Sequence, residues 1–305
     1  MSSNQREWQA LRNLLIPVQY NHLVAGITGG VTSTLVLHPL DLLKIRLSVN
    51  DGRLKSRPYY HGIKNAIKTI YKEEGIRGMY RGVTASCISA GASWGFYFYF
   101  YNSIKNWMLD GNNQITLGPW NHMLAAAQAG SITMVLTNPI MMVKTRMCLQ
   151  YADHYMNIPT YRRYTGIIEA FRKVYKYEGV GGLYKGLVPS LFNVSHGALQ
   201  FMIYEEMKDW YYVRTGNKKL SHWEYLGFAA VSKLIAASAT YPFQLVRARL
   251  QDQHQQYSKL KEVIKKTWKG EGIRGFYKGM TAYSLHVTPN ICIVFLIYEE
   301  LAPSD

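Results

Sequence analysis

The sequence predicts an all-α membrane protein with six transmembrane helices in three tandem repeats of about 100 residues, closed into a pseudo-threefold, barrel-like bundle that carries three short surface helices. Three observations predict it. The first is a proline motif that occurs three times: Pro39-Leu40-Asp41-Leu42-Leu43-Lys44-Ile45-Arg46, Pro139-Ile140-Met141-Met142-Val143-Lys144-Thr145-Arg146 and Pro242-Phe243-Gln244-Leu245-Val246-Arg247-Ala248-Arg249. The second is a glycine motif that follows each copy, running Glu74-Gly75 to Tyr80-Arg81-Gly82, Glu178-Gly179 to Tyr184-Lys185-Gly186 and Glu271-Gly272 to Tyr277-Lys278-Gly279. The third is the absence of Asp, Glu, Lys and Arg from 13–40, 82–104, 111–143, 186–204 and 279–298, stretches long enough to cross a bilayer. A sixth stretch, Tyr225 to Val246, is interrupted only by Lys233.

Taken in order, Asn21 to Val49 reads as the first helix, with Gly26 and Gly30 forming a GxxxG pair that admits a close neighbour. His61 to Glu74 reads as a short amphipathic surface helix, with Ile63, Ile67 and Ile70 on one side. Helix two covers Thr84 to Trp107 and includes an aromatic run, Phe96 to Tyr101, suited to a membrane interface. Beyond the polar linker 110–118 the pattern restarts with helix three at Pro119 to Gln150, a surface helix at Gly166 to Tyr177 and helix four at Pro189 to Tyr212. Helix five covers His222 to Gln251, a third surface helix lies near Tyr257 to Gly270, and helix six runs from Thr281 to Leu301. The repeats divide the chain at 1–113, 114–216 and 217–305.

The formal charge of +16 on 305 residues is compatible with a soluble helical-repeat protein that binds RNA, but charge-free spans of this length argue against that class and for anionic lipid and solute as partners. The mean hydropathy is only −0.14. Cys87, Cys148 and Cys292 stand at unrelated spacings, so neither a metal site nor a disulfide framework is expected. There is no nucleophile–base pair, HExxH, Walker or GxGxxG motif to support an enzyme, and no catalytic residue or cofactor is expected.

The two recurring motifs resemble those of the mitochondrial carrier family over nearly the whole chain. The resemblance implies a transporter of the mitochondrial inner membrane, active as a monomer. Both termini would face the cytosolic side and the surface helices the matrix. The loop bases Arg53, Lys55, Arg57, Lys64, Lys68 and Lys72 set that orientation. It also implies cardiolipin as a structural lipid, held at surface-helix starts and the tyrosine-base-glycine turns.

Asp41 and Lys44, three residues apart, share a helix face, so three such helices can form a ring of charges. In the family this ring is the matrix gate, with the acid of one helix pairing the base of the next. Here the acid positions hold Asp41, Met141 and Gln244 and the base positions Lys44, Lys144 and Arg247. One full ion pair, Asp41 with Lys144, is expected, with Gln244 hydrogen-bonding Lys44 and Met141 only packing on Arg247. The resemblance places the cytosolic gate at Tyr101, Asn102 and Lys105, at Tyr204, Glu205 and Lys208, and at Tyr298 and Glu299, where Ala302 replaces the base.

Counting from each motif glycine gives polar stripes on the even helices: Ser86, Ser89 and Ser93; Asn193 and His196; Tyr283, His286 and Asn290. Family contact points fall near Ser89, Asn193 and His286. Helix four is one residue shorter than its counterparts between Gly186 and Tyr204. Lys233, eleven residues before Gln244 and so about three turns away, lies on the cavity side of helix five and is an anion anchor. Ser195 to Phe201, Ser93-Trp94-Gly95 and Ala248 to Gln253 resemble the folate/FAD branch of the family, which implies FAD or folate as the transported solute, with Trp94 stacking on its flat end. Pyrimidine nucleotides or NAD are the alternative solutes. Met141 and His286 depart from that branch's usual Trp and Arg.

Overall fold

The structure, a computed structural model, describes residues 20–52, 57–109, 118–152, 159–216, 220–255, 257 and 259–301. The described residues are helical with short connections, in the order α1 (Tyr20–Ser48), α2 (Ile63–Met79), α3 (Val83–Met108), α4 (Pro119–Cys148), α5 (Ile167–Leu183), α6 (Leu187–Phe192), α7 (Ser195–Thr215), α8 (His222–Gln251), α9 (Leu260–Gly275) and α10 (Met280–Leu301). The long helices pack in a closed ring: α1 on α3, α3 on α4, α4 on α6 and α7, these on α8, and α8 and α1 on α10. Arg53, Lys55, residues 110–117, the boundary at 113–114 and Ala302 lie outside the described residues, as do the surroundings of Gly26 and the side chains of Cys292, Tyr298 and Glu299.

Each glycine motif builds one repeated bend. Gly75, Gly179 and Gly272 have φ of 65°, 69° and 62° and break the surface helix after its glutamate. Gly82, Gly186 and Gly279 have φ of 79°, 82° and 86°, in the left-handed region that a side chain disfavours, and open the even helices. The last glycine also touches the following repeat in the ring. A Cβ on Gly279 would stand 2.7 Å from the Tyr241 hydroxyl and 2.9 Å from the Lys44 carbonyl oxygen.

Helix four differs from the single helix expected at Pro189 to Tyr212. It is two helices, α6 and α7, joined through Asn193 and Val194, where the amides of Val194, His196 and Gly197 donate to carbonyls three residues back. Such 3-10 geometry rises about 2.0 Å per residue against about 1.5 Å in an α-helix, which compensates for the residue that helix four lacks.

Among the described residues no helix is long and apolar enough to cross a membrane on its own hydropathy, which corrects the inference from missing charges alone. Serines, threonines, asparagines and tyrosines lower the average without adding charge. They face inward in part: Ser33, Ser86, Ser89, Thr133, Thr137, Asn138, Ser190, Ser232 and Thr240 are buried, whereas Leu35, Val36, Ile88, Leu136, Val231 and Ile235 on the same helices are exposed.

Candidate solute pathway and its gates

At one end of the ring the three odd helices converge. Asp41 Oδ2 lies 2.6 Å from Lys144 Nζ, so α1 and α4 are joined by an ion pair. The other two junctions hold no carboxylate. Arg247 Nη2 donates to Met141 Sδ at 2.8 Å, so Met141 does more than pack. Lys44 Nζ stands 4.1 Å from the centre of the Tyr283 ring. The expected hydrogen bond between Gln244 and Lys44 is not formed among the described residues.

Immediately below lies a second ring that the motif residues form and that the sequence reading passed over. Arg46, Arg146 and Arg249, the last bases of the proline motifs, are buried to 2% exposure or less. Each grips the glutamate of its own glycine motif with two nitrogens: Arg46 to Glu74 at 2.5 and 3.0 Å, Arg146 to Glu178 at 2.5 and 2.8 Å, Arg249 to Glu271 at 2.7 and 3.0 Å. The remaining donors bond the backbone that ends the next repeat's odd helix. Arg46 donates to the Cys148 and Gln150 carbonyls, Arg146 to that of Gln251, and Arg249 to that of Ser48. The contacts run around the three repeats and close on themselves. A base two residues after the first base in every copy was the available signal.

Arg81, Lys185 and Lys278 complete this layer from the tyrosine-base-glycine turns. They pair with Glu74, Glu178 and Glu271 at 3.4, 2.7 and 2.6 Å. Burial disfavours the Glu178 carboxylate, but the hydrogen bonds and charges of Arg146 and Lys185 outweigh it and hold its pKa down to about 2. Arg57, counted from sequence among the loop bases that set orientation, is buried between Asp51 and Asp252 at 2.6 Å from each. It ties the first loop to the end of α8, and two carboxylates offset its desolvation.

Above the first ring the polar stripes divide into packing contacts and unpartnered groups. Asn290 Nδ2 donates to Ser33 Oγ at 2.6 Å, which joins α10 to α1. His196 Nδ1 lies 3.1 Å from Thr240 Oγ1, which joins α7 to α8. Ser89 is buried, and Ser93 Oγ and Asn193 Oδ1 are buried without a hydrogen-bond partner. His286 is near enough to Asp41, Lys44, Lys144 and Lys233 to feel each charge. Lys233 is half-buried and has no carboxylate within ion-pair reach among the described residues.

Trp94 lies across Gly30 of α1, where a Cβ would stand 2.6 Å from the indole Cδ1 and 2.7 Å from Nε1. Gly30 stands eleven residues before Asp41, the same offset as Lys233 before Gln244, so this glycine seats an indole at the register where α8 carries its cation. At the other end of the bundle, Tyr101 bonds His122 at 2.9 Å and Lys208 pairs with Glu205 of its own helix at 2.5 Å. Glu205 therefore spans no two helices there. Asn102 and Lys105 lie half-buried on the same α3 segment, and Tyr204 packs edge-on against Tyr225.

Asp41→Asn is expected to slow transport several-fold while leaving an inserted, folded protein, since it removes the one carboxylate of the first ring but keeps its shape. Uptake at equal reconstituted protein checks this, and an unchanged rate would show that the pair is scaffold only.

The family model described as mitochondrial carrier protein matches residues 18–112, 116–215 and 218–303. Folate transporter 1, chloroplastic, of Arabidopsis thaliana is 38% identical over 296 residues, covering 93% of this chain and 94% of that protein. Nicotinamide adenine dinucleotide transporter 2, mitochondrial, of the same plant is 36% identical over 288 residues, covering 91% and 77%. Mitochondrial nicotinamide adenine dinucleotide transporter 1 of Saccharomyces cerevisiae is 35% identical over 303 residues, covering 95% and 79%. With all three repeats matched and relatives aligned over nearly its full length, this chain belongs to the mitochondrial carrier family: it is a transporter of an organellar membrane, not an enzyme.

Proposed function

We propose that this carrier moves an anionic heteroaromatic cofactor, FAD or folate, across the mitochondrial inner membrane by alternating access. The observation that supports this most is Lys233, a cation without a carboxylate partner among the described residues, inside a ring of helices whose outer faces are apolar. An ammonium so placed is costly until an anion reaches it, and Trp94 offers a flat partner for a heteroaromatic ring. Ser89, Ser93, Asn193 and His286 supply further polar contacts, whereas His196 and Asn290 are shared with helix packing.

In this reading the six long segments span the bilayer, α6 and α7 together forming the fourth, and α2, α5 and α9 lie on the matrix surface. The units are 1–113, 114–216 and 217–305. Both termini face the cytosolic side, the chain works as a monomer, and cardiolipin binds beside the surface helices. The ring of Asp41, Lys44, Lys144, Gln244 and Arg247 is the matrix gate. The groups at Tyr101 to Lys105, Tyr204 to Lys208 and Tyr298 to Glu299 form the cytosolic gate, which closes as the first opens. A helix with one polar face need not be apolar throughout to span, because neighbouring helices cover that face.

NAD is the second reading, favoured by the relatives named for it. Proteoliposomes loaded with each candidate are expected to take up labelled FAD or folate faster than NAD. Faster uptake of NAD would reverse the order, and uptake of none would remove this solute class.

A further inference from the structure

The first ring holds three cations, Lys44, Lys144 and Arg247, and one carboxylate, Asp41, which Lys144 already occupies at 2.6 Å. Arg247 has a thioether where its neighbour should offer a carboxylate, and Lys44 has an aromatic face. A thioether is a weak acceptor and a guanidinium carries five donors, so most of the Arg247 hydrogen-bonding capacity is unused among the described residues. Lys44 and Arg247 are also close enough to repel one another. Neither contact offsets the removal of a full charge from water. One oxyanion set between the two cations would answer both deficits, and a guanidinium's planar fork suits phosphate and carboxylate oxygens.

We infer that Lys44 and Arg247 form a second anion subsite at the foot of the cavity, which takes a phosphate or carboxylate group of the solute in place of the acids missing at Met141 and Gln244. The inference rests on the transporter reading with Lys233 as the first anchor. Lys233 and Arg247 are fourteen residues apart, about 21 Å of helix, farther than the adjacent phosphates of FAD or the carboxylates of folate can span, so the anionic group of the solute meets the two subsites in turn. The solute then completes the gate: its own charge joins α1 to α8, where the chain supplies none. His286, which feels both Lys233 and Lys44, lies between the two subsites.

The test compares purified full-length wild type with Met141→Glu, which supplies the missing acid beside Arg247, and Arg247→Gln, which removes the cation. Thermal stabilisation is measured with inorganic phosphate alone, with FAD and with folate, alongside proteoliposome uptake. The subsite predicts that phosphate stabilises wild type and neither variant, and that each variant binds the solute at least roughly tenfold more weakly, the loss of one charge-assisted hydrogen bond or more. Met141→Glu should in addition raise the melting temperature without ligand. If phosphate stabilises but FAD and folate add nothing and are not taken up, the subsite stands as an inorganic anion site and the proposed solute falls. The inference is overturned if both variants keep wild-type solute affinity, or if phosphate stabilises all three proteins equally. Should Met141→Glu fail to fold, Arg247→Gln alone decides.

Discussion

Lys233→Met is expected to abolish or sharply reduce uptake of the anionic solute, while the melting temperature without solute stays equal or rises. The substitution keeps the length and apolar stem of the side chain and removes only the ammonium. Lys233 has no described carboxylate to leave unpaired, so folding loses no ion pair and is relieved of a desolvated charge. The solute loses a charge-assisted contact of about 1.5–3 kcal/mol, roughly ten- to hundredfold in affinity. Solute-induced stabilisation should shrink with it, because that stabilisation follows affinity through mass action. Full uptake by the variant would remove Lys233 from the pathway. A variant that fails to insert would instead assign the lysine a structural partner.

The opposite pattern is expected one layer below. Arg249→Met should lower stability by about 3–5 kcal/mol, the usual cost of removing one partner of a buried pair. Arg249 donates to Glu271 through two nitrogens, to Thr267 Oγ1 at 2.8 Å and to the Ser48 carbonyl at 3.0 Å, and it is the link that closes the cycle from the third repeat to the first. Without it Glu271 keeps only Lys278, and the Ser48 carbonyl loses its guanidinium donor. The melting temperature of the detergent-purified protein checks this. Adding Glu271→Gln should recover part of the loss, since the buried carboxylate no longer needs a counter-charge. A double variant as unstable as the sum of the two single changes would show that the residues do not act as a pair.

These two lysine and arginine positions show how far the chain could be read without coordinates. Lys233 stood out because a single charge in an apolar stretch is legible one residue at a time. Arg249 did not. Its partners include a carbonyl about 200 residues away, and nothing local marks a backbone atom as a target. The same holds for Arg57, which belongs by composition to a basic loop and by structure to a buried pair of aspartates.

The sequence by itself determined the threefold plan, the extents of most helices and the residues at each ring position. Those depend on motif recurrence, on chain periodicity and on glycines whose positive φ few other residues adopt. His222 to Gln251, for example, is one helix with the bounds that its pattern indicates. Only the tertiary structure decided what the ring positions touch: that Met141 accepts from Arg247, that Lys44 meets the Tyr283 ring, that Trp94 lies over Gly30, and that helix four stretches at Asn193 to make up a missing residue. A periodic pattern fixes the face on which a side chain stands. Its partner is fixed when the third repeat closes on the first, and contacts across that seam join residues some 200 to 260 apart in the chain.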